Sequence, residues 1–143
     1  MEDVLILAQS GREARWIAEI LGEDGMNTRT CPEPGQLVRN LEQGAGCVVA
    51  AQEALIGDTR NALCQWLASQ PVWSDMPFVL LPCEDGAERG LTDRLVQELG
   101  HACVTPWPLQ AAALRRATRS ALHARRRQYD VRDQLDRLSA ARR

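Results

Sequence analysis

Four short apolar runs recur along the chain, each followed by an amphipathic helical pattern, and this alternation constrains the fold more than any other feature. Residues 4–8 (VLILA), 47–51 (CVVAA), 78–81 (FVLL) and 102–105 (ACVT) have strand length and lack the polar alternation of a half-exposed strand. Such runs suit strands covered on both faces. Residues 27–31 (NTRTC) form a fifth, more polar segment suited to a sheet edge. Between and after the runs, apolar residues return at helical spacing: Ala14, Ile17, Ala18 and Leu21; Leu37, Val38 and Leu41; Leu63, Trp66 and Leu67; Leu91, Leu95, Val96 and Leu99. Strict βα alternation with short connections predicts a parallel sheet with helices on both faces and right-handed crossovers.

Local signals punctuate the units. Ser10 with Glu13 three residues later makes a capping box, and Gly22 and Gly25 stop the first helix. Pro32 and Pro34 open the second helix and Gly44 ends it; Asp58 or Thr59 caps the third; Leu109 begins the last. In an open sheet of this kind ligands bind beyond the carboxyl ends of the strands, so the residues after each run carry the functional question.

The last helix outruns the domain. Leu114, Ala117, Ala121, Ala124, Gln128, Val131, Leu135 and Leu138 follow alternating steps of three and four, the spacing of a heptad seam. Val131, Leu135 and Leu138 have no further globular partner in the sequence. A parallel homodimer through Leu114, Ala117, Ala121, Gln128, Val131, Leu135 and Leu138 is therefore expected, with residues 1–123 as the domain and 124–143 as a coiled-coil extension.

Charge is divided in the same way. Residues 1–110 carry seven arginines against 16 carboxylates, whereas residues 111–143 carry ten arginines against three aspartates. All 17 basic residues are arginine, so chemistry that needs a lysine amine is excluded within this chain. Arg125, Arg126 and Arg127 form the obvious basic patch, but no recognition motif accompanies them and nucleic-acid binding is not expected. The acidic start and the lack of a long apolar run argue against a signal peptide or a membrane span.

Cys31, Cys47, Cys64, Cys83 and Cys103 are odd in number and irregularly spaced, which fits buried thiols in a reducing, cytoplasmic setting. His101 and Cys103 are two potential ligands, too few for a zinc site. No cofactor is expected. No nucleophile–base arrangement, phosphate loop or glycine fingerprint appears, and Cys83 has no histidine nearby in sequence, so no enzymatic activity is expected.

Over residues 4–123, the order and length of these elements resemble the receiver domain of two-component response regulators, a flavodoxin-like α/β fold with strand order 2-1-3-4-5. The family places a magnesium-binding acidic pair after strand one, a phospho-accepting aspartate after strand three, a Ser/Thr after strand four and Lys-Pro after strand five. Here those positions fall on Ala8 and Gln9, Ala51, Pro82, and Trp107 with Pro108. Only the proline is kept. Alanine cannot accept a phosphoryl group, and Ala8, Gln9 and Ala51 cannot hold a hard cation that requires oxygen ligands. The resemblance thus implies a pseudo-receiver without phosphotransfer, with Trp107 plugging the former site and Glu53 as the one carboxylate near it.

Residues 70–82 (QPVWSDMPFVLLP) and the stretch from Trp107 through 121–138 (ALHARRRQYDVRDQLDRL) are similar to the N-terminal pseudo-receiver of certain bacterial sensor histidine kinases. That similarity implies a regulatory, dimerising module attached to PAS-like or kinase domains beyond residue 143. His123 is expected to be a surface residue, not a phosphorylation site. The second reading is a stand-alone atypical response regulator that binds a small ligand, or nucleic acid through its Arg-rich helix.

Overall fold

The computed structural model of the chain describes residues 3–81, 89–106 and 108–141. Its elements are β1 (Val4–Leu7), α1 (Gly11–Glu23), β2 (Thr28–Thr30), α2 (Pro34–Gln43), β3 (Cys47–Ala51), α3 (Gly57–Ala68), β4 (Phe78–Leu81), α4 (Arg89–Leu99), β5 (Ala102–Val104) and α5 (Ala111–Ala141). The strands form one sheet in the order β2-β1-β3-β4-β5, and every neighbouring pair is parallel. This is the flavodoxin-like receiver fold, and the strand order reverses between β1 and β3.

Alternation along the strands sorts the core into two layers. Leu5, Leu7, Val48, Ala50, Phe78 and Leu80 point to the face covered by α2, α3 and α4, where Leu37, Leu41, Leu63, Leu95 and Leu99 meet them. Val4, Ile6, Cys47, Val49, Val79 and Leu81 point to the other face, against Ala14, Ile17 and Leu21 of α1 and Leu114 and Ala121 of α5. Strands β1, β3 and β4 are buried throughout, whereas β2 and β5 are partly exposed edges. Each buried leucine contributes roughly 1.5 to 3 kcal/mol, so these two layers dominate the stability of the domain.

The caps follow the sequence in most places. Ser10 Oγ accepts from the Glu13 amide at 3.2 Å, and the Gln36 side chain accepts from the Glu33 amide at 3.3 Å, with Pro34 in the first turn of α2. Gly44 ends α2 at φ 106°, a conformation that disfavours a side chain. Two helix starts differ from expectation. Helix α3 begins at Gly57, which takes a positive φ, with Ile56 in the cap position, and Thr59 is buried in its first turn and not at the cap. Helix α5 begins at Ala111, two residues after Leu109, with the Leu114 amide bonded to the Gln110 carbonyl.

Helix α5 has 31 residues, which at 1.5 Å each makes a rod of about 46 Å. Its first turns lie on the sheet and the remainder runs past the amino ends of the strands. Among the described residues, no helix is long and apolar enough to cross a membrane.

Candidate functional site

The carboxyl edge of the sheet brings together Ala8, Gln9 and Ala51 from the neighbouring strands β1 and β3. Ala51 is the last residue of β3 and is 4% exposed. Ala8, half-buried, and Gln9, exposed, follow β1, the immediate neighbour of β3. Thr105 follows β5, where its amide and hydroxyl both donate to the Leu80 carbonyl, at 3.0 and 3.2 Å. Pro108 is exposed beside this edge. Pro82 and Trp107 lie outside the described residues, as does Cys83, so the plug assigned to Trp107 does too.

Around Ala51 the surface closes into a pocket of about 280 Å³ lined by Glu13, Trp16, Ala51, Glu53, Leu81, Pro108 and Leu109. Two carboxylates reach it from separate elements. Glu13 stands on the first turn of α1, and Glu53 stands on a 3-10 turn, Gln52–Ala54, that folds the chain over the edge directly after β3. Burial pushes the Glu13 carboxyl above the usual range; the Gln9 backbone bond opposes that shift and the Glu53 charge adds to it. Glu13 Oε1 is buried and accepts no hydrogen bond. Beside the pocket, fully buried Gln52 accepts from the Thr92 hydroxyl, which fixes the end of β3 to α4.

The sequence marked Glu53 but read Glu13 only as a capping residue and Trp16 only as one tryptophan among four. The signal for Glu13 was its place three residues after Ser10, because the first turn of α1 sits beside the switch point. Among the described residues, no group of three or more His, Cys, Asp or Glu side chains is placed to hold a metal ion.

The heptad stripe of α5 divides in two. Leu114 and Ala121 are buried against the chain's own sheet, and Ala117 packs on the same layer. Gln128 is held by the loop before β4: it accepts from the Asp75 amide at 2.8 Å and donates to the Asp75 carbonyl at 2.6 Å. These four residues face the domain, because the sheet and that loop supply the partner that a second helix was expected to supply. Val131, Leu135 and Leu138 remain 48%, 49% and 58% exposed. The packing of α5 on the body also continues past residue 123, to Arg132.

Arg125 anchors this junction. Expected in a solvated basic patch, it is instead 4% exposed. Its Nε donates to the Ala45 carbonyl at 3.2 Å, and its Nη1 donates to Ser74 Oγ at 2.7 Å and Gln128 Oε1 at 2.8 Å. The guanidinium lies 4.8 Å from the Tyr129 ring centroid and 5.4 Å from that of Trp73; Arg132 stacks on the same two rings. Burial lowers the Arg125 pKa, yet a guanidinium keeps its charge, so three acceptors and two aromatic faces replace its water. Arg126, Arg127 and His123 lie on the exposed side.

No protein-family model matches the chain, and no curated protein matches it. Solved structures do. The chain is similar to NtrX from Brucella abortus, solved in complex with ADP, at 18% identity and TM-score 0.73, over 97% of this chain and 30% of that one. It is similar to the signal receiver domain of a signal transduction histidine kinase from Syntrophus aciditrophicus at 24% identity and TM-score 0.64, covering 86% and 91% of the two chains. A third likeness, at 16% identity and TM-score 0.72 over 92% of each chain, is to the signal receiver domain of an HD domain-containing protein from Pseudomonas fluorescens Pf-5. At these identities the likeness is one of fold.

Proposed function

We propose that this chain is a phosphorylation-independent pseudo-receiver, a regulatory and dimerising module of a bacterial two-component signalling protein. The observation that carries the reading is Ala51, which ends β3 at the phospho-acceptor position of a receiver-type sheet. A methyl group there has no lone pair to attack phosphorus. Ala8 and Gln9, at the end of β1, offer no carboxylate to hold the magnesium that phosphoryl transfer requires. Signal passage then depends on the domain's shape and contacts.

Helix α5 is the element suited to transmit it. Clamped at Arg125 and Gln128, it leaves Val131, Leu135 and Leu138 as an apolar stripe suited to a second copy, and its distal half is the element through which attached PAS-like or kinase domains would receive the signal. The likeness to a receiver domain from a histidine kinase supports this setting.

A magnesium titration followed by amide NMR tests the pocket. No saturable shifts are expected at residues 8–10 and 51–53. Saturable shifts confined to those residues would overturn it.

A further inference from the structure

We propose that the bracket between Gln128 and Asp75 is an autoinhibitory contact: the loop before β4 and the α5 of a second copy compete for Gln128, and release of the loop lengthens the dimer seam. This regulation rests on the dimerising role proposed above and names what holds that role in check.

Helical geometry sets up the competition. At about 100° per residue, Ala124, Gln128, Val131, Leu135 and Leu138 share one arc of α5, and Arg125, Tyr129 and Arg132 share the adjoining arc. The second arc is committed to the domain. Arg125 is bonded to Ala45 and Ser74, and the guanidinium groups of Arg125 and Arg132 lie over the rings of Trp73 and Tyr129. Gln128 belongs to the first arc by its spacing and to the second by its contacts. Both ends of its amide are bonded to the Asp75 backbone, and Arg125 also donates to its Oε1. A residue in the core of a coiled coil is enclosed by side chains of the facing helix. The Asp75 backbone, 2.6 and 2.8 Å from the two ends of that amide, fills the space a facing helix needs there. While the bracket is closed, the seam starts at Val131.

Three features make the contact releasable. Both Gln128–Asp75 bonds are exposed, so water replaces them when the loop parts from the helix. The loop also keeps its own frame without α5. Gln70 Oε1 accepts from the Ser74 hydroxyl at 2.8 Å and from the Met76 amide at 3.0 Å, and the Ser74 amide bonds the Pro71 carbonyl at 2.9 Å. Arg125 retains the Ala45 carbonyl, which keeps the helix on the domain. Opening then carries the seam one heptad toward the sheet, through Gln128 to Ala124, with a polar core residue to fix the register. Because the loop and the second helix exclude each other at Gln128, each weakens the other by the same factor.

Sedimentation and amide hydrogen exchange of the whole chain test this. Gln128→Leu removes the bracket and puts an apolar side chain in the seam, whereas Trp73→Ala loosens the loop from α5 without touching the seam. A neutral hydrogen bond is worth a factor of about two to ten. Gln128→Leu should therefore tighten dimerisation at least about tenfold, and Trp73→Ala by a smaller factor. In the parent chain the Asp75 amide should exchange faster at concentrations that favour the dimer, the reverse of the slowing that association ordinarily brings. The fold of each variant is checked by its remaining amide spectrum, and Asp75 exchange with Gln128→Leu decides the matter if Trp73→Ala fails to fold.

A dimer whose formation leaves Asp75 exchange unchanged or slowed, or a folded Trp73→Ala variant that dimerises no more tightly than the parent, would overturn the competition and leave the dimerising role standing. Monomer at every concentration, in the parent and in both variants, would instead remove the dimerising role and the competition with it.

Discussion

Gln128 brackets Asp75, accepting a hydrogen bond from its amide at 2.8 Å and returning one to its carbonyl at 2.6 Å across 53 positions of sequence. With Arg125 bonded to Ala45, Ser74 and Gln128, this pair fixes the exit angle of α5 from the domain. Arg125→Ala should therefore cost about 1 to 3 kcal/mol through unsatisfied buried acceptors and lost packing. It should also free the distal helix. Hydrogen exchange at residues 125–138 should accelerate, while exchange in β1 and β3 changes only with global stability. Arg125→Lys should not restore protection, because an ammonium lacks the planar fork. Unchanged exchange in the Arg125→Ala variant would remove the clamp from the account.

The exposed stripe of Val131, Leu135 and Leu138 should support a weak parallel dimer. Burying three aliphatics per chain competes with an association cost of about 4 to 15 kcal/mol. In such a pair Arg127, one turn before Val131, would face its mate, so added salt should tighten association. Sedimentation over a concentration series should show a rising mass that Leu135→Asp with Leu138→Asp abolishes. Monomer at every concentration would exclude this stripe as the contact.

Thiol reactivity should follow burial. Cys47 lies inside β3, where burial pushes its thiol up to about 12, and burial also raises Cys31. Cys103 is exposed. Alkylation of the native chain near pH 8, read by peptide mass mapping, should label Cys103 well before Cys31 and Cys47. Labelling of Cys47 should require unfolding.

Glu13 gives a pH dependence of defined sign. Its folded pKa is raised by burial above the unfolded value, so unfolding releases a proton between the two values. Stability from this group falls as pH rises through that window, and the penalty is complete above the folded pKa. Glu13→Gln should accordingly raise the Tm relative to the parent at neutral pH, with the difference shrinking near pH 4. An equal difference at both pH values would contradict the burial of this carboxyl.

The sheet was legible because its information is local. The runs at 4–8, 47–51 and 78–81 admit little but buried strands, and Ser10, Pro34 and Gly44 act on neighbouring residues. The junction was not legible in the same way. Gln128 satisfies the heptad spacing equally well whether it faces a second helix or the loop at Asp75, and Arg125 sits in a run of three arginines that only tertiary packing tells apart. Glu13 hid its role behind its cap position: Ser10 needs only the Glu13 amide, which leaves the carboxyl to the pocket. Ala8, Gln9 and Ala51 drew notice only through the resemblance to a family pattern and not through any property of alanine or glutamine.

The central claim is that the carboxyl edge of this sheet cannot take a phosphoryl group, and intact mass after incubation with acetyl phosphate and magnesium tests it most directly. The parent chain should keep its unmodified mass, and so should Ala51→Asp, since a nucleophile alone does not replace the metal ligands absent at Ala8 and Gln9. A stable single phosphoryl adduct on the parent chain, formed with magnesium and absent without it, would contradict the account.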